Sequence, residues 1–340
     1  MRTLLIALLA FAAGVLLAPL WPARPPVRVT AIPATPTQTV AEHGALLPDE
    51  AVDEATPWPP QAATPEQVIY AQPSLLRTAL ARLGARVPGR PNLYVLVFAA
   101  DGSEDVFHNE ASYAARLFTR RFGRGTHALV LENHPDTLAT HPLATWSNLE
   151  SALDGLADVM KPDEDILLLY VTTHGSEDHS LLVDMDPLPL DQIGAPDLAG
   201  ILHARPFKWK VVVVNACYSG GFVPDLRGPG TLVLTAARSD RSSFGCGSDS
   251  QITYFGRAWL VDALNRSTDF VEAFTRATGE IARWERQDKL TASEPQIDIG
   301  SGIEQQLAKW RRGITPGPAV PFAPAATRAP NASQHGARPH

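Results

Sequence analysis

Two apolar runs of the chain end in residues that can do chemistry. KVVVVNACYSGGF leads into Cys217, followed closely by Ser219, Gly220 and Gly221, and ILLLYVTTHGSEDH leads into His174 and Gly175. A free thiol titrates at about 8.5, so near neutral pH it needs a base to become a nucleophile. An imidazole at the end of a neighbouring strand supplies one. Glycine beside each residue lets the backbone turn sharply and present main-chain N–H groups to a developing oxyanion. The bland readings are a small buried thiol after a valine run and an ordinary polar loop residue at a strand end. The joint occurrence at two strand ends, each flanked by glycine, favours acyl transfer through a thioester.

Such loops need strands to position them, and the pattern supplies them. Leu93–Ala100, His127–Leu131, Ile166–Val171, Val211–Val214 and Leu232–Ala236 are short and apolar with no polar alternation. Between them lie helical spacings at Ala111–Phe122 and Trp146–Met160, and helices are expected at Gln251–Leu264 and Thr268–Arg286. In the second of these, Leu149, Leu153, Leu156 and Val159 share one face and Ser147 is a possible cap. Strands of this kind separated by helices predict a mostly parallel sheet covered on both faces. Open sheets of this class bind ligands beyond the C-terminal ends of their strands, where His174 and Cys217 fall.

Composition bounds the rest. The chain has 340 residues, 45% of them apolar, and a net charge of −7, which gives no general footprint for nucleic acid. Two cysteines cannot build a disulfide framework or a four-thiolate zinc site. His174 and His179, five apart, do not share a helix face, so no metal site is read there, and no organic cofactor is implied. Of 30 prolines, eleven fall in residues 19–66 and six in 313–340, which marks both stretches as disordered flanks. The uncharged run Thr3–Trp21 reads as a membrane anchor or a secretory signal, placing the rest outside the cytoplasm. The expected organisation is therefore a signal or anchor at 1–21, a Pro/Ala-rich linker at 22–66, a catalytic domain at 67–312 and a tail at 313–340. In an oxidising compartment Cys217 and Cys246 could pair.

YVTTHGSEDH and VVVVNACYSGGF together resemble the legumain-type cysteine peptidases, peptidase family C13 of the caspase-like clan. TAARSDRSSFGCGSDSQITYFGRAW (235–259) and LYVLVFAADGSEDVFHNEASYAARLF extend the resemblance over roughly residues 67–310. It implies a three-layer α/β/α sandwich, a peptide or protein substrate and no cofactor. His174 would be the base and Cys217 the nucleophile, with Gly175 and Cys217 donating backbone N–H groups to the oxyanion. Where many eukaryotic members carry Asn-Tyr-Arg-His, this chain has Asp105, Val106, Phe107 and His108. The resemblance thus makes Asp105 the candidate that orients His174. It places Phe107, Asn215, Ser242, Ser243 and Asp249 around the substrate, with Asp249 the expected charge in a pocket of reduced polarity. Asparaginyl specificity does not carry over. The alternatives are a non-catalytic interaction module of the same fold or a transpeptidase using the same dyad.

Overall fold

The computed structural model describes residues 58–325. The anchor and most of the linker read from the sequence lie outside these residues, as do residues 326–340. Among the described residues no helix is long and apolar enough to cross a membrane.

Helix α1 (Pro65–Ala81) opens with a reciprocal cap. The Thr64 hydroxyl accepts from the Gln67 amide, the Gln67 side chain accepts from the Thr64 amide, and Pro65 fills the first helical position. Then follow β1 (Leu93–Ala99), α2 (Asp105–Arg121), β2 (Thr126–Glu132), α3 (Trp146–Val159) and β3 (Ile166–Thr172). Helix α4 (Ala195–His203), β4 (Trp209–Asn215) and β5 (Thr231–Thr235) come next, and α5 (Phe270–Gln287), β6 (Gln296–Ile299) and α6 (Ile303–Arg312) complete the chain order. A tight turn at Tyr254–Gly256 runs into a wide π-type helix at Arg257–Ala263.

The strands form one six-stranded sheet in the order β2-β1-β3-β4-β5-β6, parallel except for β6. Every residue of β1, β3 and β5 is buried. Alternate residues feed two cores, as the pleat requires. Val95, Val97 and Ala99 pack with α2, the π-type helix, α5 and α6 through Phe118, Trp259, Phe270 and Trp310. Tyr94, Leu96 and Phe98 pack with α1, α3 and α4 through Leu76, Leu153 and Leu198. This is the expected three-layer sandwich, a caspase-like α/β fold, and each fully buried aliphatic side chain stabilises it by roughly 1.5–3 kcal/mol.

The structure corrects several details of the sequence reading. Helix α2 starts six residues earlier than Ala111, so Asp105–His108 form its first turn. The cap of α3 is Thr145, whose hydroxyl accepts from the Asn148 amide, and Val159 is exposed rather than on the buried face. Helices α1, α4 and α6 and strand β6 were not expected.

Both domain edges move outward. Trp58 and Ala62 pack against the small cluster around Val68, so the folded part begins within the expected linker. Residues 313–325, read as tail, run back along α2. The Gly317 amide donates to Arg121 O (2.7 Å), the Tyr113 hydroxyl to Val320 O (2.8 Å) and the Ala325 amide to Asn109 Oδ1 (2.7 Å). Asn265 Oδ1 accepts from the Val320 amide at 2.7 Å, and Phe322 meets the Tyr113 ring edge-on.

Candidate active site

Strands β3 and β4 are neighbours in register, with Thr172 opposite Asn215. The next residues of each form the two loops of interest. His174 is the second residue beyond β3, and Cys217 the second beyond β4. The loops touch. A Cβ added to Gly175 would fall well inside contact distance of the Cys217 carbonyl oxygen, so only glycine allows this approach. Tyr218, directly after Cys217, is left-handed at φ 55°, a conformation costly for a bulky side chain. That turn is held by the Tyr218 amide donating to Arg241 O (2.8 Å) and the Gly221 amide donating to Tyr218 O (3.0 Å). Gly221 is also constrained, because an added Cβ would meet the His179 ring.

The imidazole of His174 is part-exposed, and its Nε2 lies 3.5 Å from Asp101 Oδ2. Asp101 is buried. Its Oδ1 accepts from the Ser103 amide (2.8 Å) and hydroxyl (2.7 Å), while Oδ2 has no hydrogen bond among the described residues. One carboxylate oxygen is thereby fixed by the chain and the other is left for the imidazole. Phe107 approaches the His174 ring edge-to-face, with centroids 5.2 Å apart. The expected orienter, Asp105, pairs elsewhere: its Oδ1 receives a hydrogen bond from His134 Nε2 at 3.0 Å. Asp105 opens α2, and its side chain turns toward the end of β2 rather than toward β3. The spacing ADGSED offers several acids within five residues, and nothing in the sequence distinguishes them.

The sulfur of Cys217 sits under the loop between β5 and Tyr254. The Ser243 amide donates to Sγ at 3.2 Å, and Ser243 O lies 3.6 Å from it. Hydrogen bonds from the Cys246 thiol, the Ser243 amide and the Ser242 hydroxyl favour the thiolate against the opposing effect of burial, so the Cys217 thiol is lowered to about 6. Cys246 is pushed up by the same contact and by its own burial, and both cysteines are free. Cys246 is therefore a partner of the sulfur.

Of the remaining expected substrate contacts, Ser242 and Asp249 are exposed on this loop. Phe107 and Asn215 are buried and line no open surface. Asn215 instead joins a cluster around Glu110 of α2, which is fully buried. Glu110 Oε2 accepts from Thr172 Oγ1 (2.7 Å), Asn215 Nδ2 (2.8 Å) and the Tyr170 hydroxyl (2.9 Å). Its Oε1 accepts from Thr253 Oγ1 (2.6 Å) and the Thr253 amide (2.8 Å). Burial pushes the Glu110 carboxyl up, and these bonds pull it back. Sequence reasoning missed Glu110, although a glutamate on the apolar stripe of Phe107, Ala111, Ala114 and Phe118 was a readable signal.

A sheet of this order, with a thiol and an imidazole on touching loops at adjacent strand ends, has the architecture of the caspase-like cysteine peptidases. The family model of the Peptidase C13 family matches residues 146–305, which supports a C13-family, legumain-like peptidase. The match spans both loops and the segment bearing Ser243 and Cys246. No curated protein matches the chain.

Proposed function

We propose that the chain is a cysteine endopeptidase whose nucleophile is Cys217 and whose general base is His174. The observation that carries this reading is the contact of the two loops at Gly175 and Cys217, one bearing a thiol with lowered pKa and the other an imidazole backed by a buried carboxylate. Sγ attacks the scissile carbonyl carbon, and the oxyanion is held by the backbone N–H groups of Gly175 and Cys217. His174 passes its proton to the leaving amine, giving a thioester and a free amino terminus. The same imidazole then takes a proton from water, which releases the acid and restores the thiol. Asp101, not Asp105, orients the ring and stabilises its charged form.

Substrates are peptides or proteins, bound over the sheet edge beside the Ser242–Ser243 segment and Asp249. With Phe107 and Asn215 buried, neither supplies the polar pocket that asparaginyl specificity needs. The uncharged run 3–21 tethers the domain on the extracytoplasmic side or directs its secretion. Digestion of an unbiased peptide library by the full chain tests the activity: cleavage is expected to vanish in Cys217→Ala, and its persistence would end this reading. Fractionation of cells tests the location, which a wholly cytosolic full-length protein would contradict.

A further inference from the structure

Glu110 occupies a place that chemistry makes expensive. A carboxylate with no exposed surface forfeits its hydration, and an apolar side chain would fill the same volume without that penalty. Its five donors come from three separate segments, and those segments are the ones that build the site. Thr172 is two residues before His174. Asn215 is two residues before Cys217. Thr253 closes the loop that carries Ser242, Ser243 and Cys246, the groups around the sulfur. Thr172 and Asn215 face each other in register, and Asn215 Nδ2 also reaches Tyr170, Thr172 and Thr253 at 3.0–3.2 Å. The close approach is built in from the far side too: a Cβ on Gly256 would collide with the Glu110 carboxylate.

We propose that Glu110 is the positioning residue of the dyad, one acceptor that sets the take-off points of the His174 loop, the Cys217 loop and the thiol-holding loop relative to one another. This rests on the roles given above to Cys217 and His174. Glu110 touches neither substrate nor sulfur and acts through Thr172, Asn215 and Thr253. Apolar packing would tolerate small slides of these three segments. Five directional bonds to one carboxylate do not, and an error of about 1 Å in a reacting pair costs on the order of 100-fold in rate.

The test uses the full chain and two readouts: the rate at which iodoacetamide alkylates Cys217, mapped by peptide mass spectrometry, and the steady-state hydrolysis of a cleaved peptide. Glu110→Gln keeps the shape but sets a donor among donors. Its Cys217 alkylation rate is expected to change at least about fivefold, and kcat to fall about 10- to 100-fold with KM within about twofold. Adding Asn215→Asp to Glu110→Gln restores a carboxylate opposite the carboxamide and is expected to recover most of kcat. Asn215→Asp alone sets two buried carboxylates against each other and is expected to be worse than either. If Glu110→Gln does not fold, Thr172→Val removes one donor with little change of shape and is expected to lower kcat about fivefold at constant KM. Wild-type alkylation and kcat in these variants, with only Tm lowered, would overturn the proposal, as would a double variant no better than Glu110→Gln. Failure of the catalytic reading looks different: hydrolysis would survive Cys217→Ala.

Discussion

Among the histidine–carboxylate pairs at this edge of the sheet, His174–Asp101 and His134–Asp105 are inverted copies of each other. In His174–Asp101 the imidazole is 35% exposed and the carboxylate 1%; in His134–Asp105 the imidazole is 4% exposed and the carboxylate 58%. The second pair is also the tighter, at 3.0 Å against 3.5 Å. His134 has both ring nitrogens occupied, since Nδ1 accepts from the Asp136 amide, and it stacks on His108 with centroids 4.0 Å apart. A ring held in this way fixes the junction of α2 with β2. A ring left open on one side, with its partner locked behind it, can trade a proton with something that arrives. Between these two pairs the difference lies in which member is buried rather than in the length of the contact.

Exchanging the histidines gives the largest expected contrast. His174→Ala should lower kcat/KM by about 1,000-fold or more. His134→Ala should keep activity within about threefold while costing roughly 1–3 kcal/mol of stability, because it empties the space of a buried ring that stacks on His108. Peptide hydrolysis and thermal melts on the two variants check this, and equal losses of activity would erase the distinction. The carboxylates come next. Asp101→Asn should reduce kcat roughly 10- to 100-fold, whereas Asp105→Asn should stay within about twofold. The opposite order would restore Asp105 as the orienter of His174.

The sulfur's side of the site should show as a pH dependence. A lowered thiol pKa means that the thiolate is present above about pH 6 and lost as pH falls below it, so Cys217 alkylation should rise through that region. The Cys246 thiol is the largest contributor, and Cys246→Ala should therefore move the midpoint upward, by about one pH unit. A midpoint that does not move would assign the effect to Ser243 and Ser242 instead. The smallest effect is expected at Phe107. Phe107→Leu removes the edge contact on the His174 ring and should lower kcat about two- to fourfold, beside a stability loss of roughly 1–2 kcal/mol.

What the sequence disclosed follows from how local the signal is. Strands buried on both faces announce themselves as unbroken apolar runs, and the residues that end them, His174 and Cys217, are then placed by topology alone. Helix α1 carried a readable start in Thr64, Pro65 and Gln67, but Pro73 in its interior and the proline-rich context hid it. Strand β6 is short, antiparallel and half-buried, so its four residues show no apolar run. The choice between Asp101 and Asp105 depends on the path of the chain between β1 and α2, which spacing does not encode. The Glu110 cluster joins residues up to 143 positions apart, and only the polar outlier on an apolar stripe hinted at it.

The segment after α6 has a practical bearing on where the gene is cut. Composition suggests stopping at Arg312, and a shortened protein of that kind would look complete by its helices. It would lack Val320, which is 5% exposed and supplies the backbone that satisfies the Tyr113 hydroxyl and the Asn265 carboxamide. The outer flank of α2, the helix that carries Glu110 and Phe107, would then face solvent along most of its length. An expression boundary drawn at Ala325 keeps that flank covered, so the outer limit of the enzyme is set by a dozen residues with no regular structure.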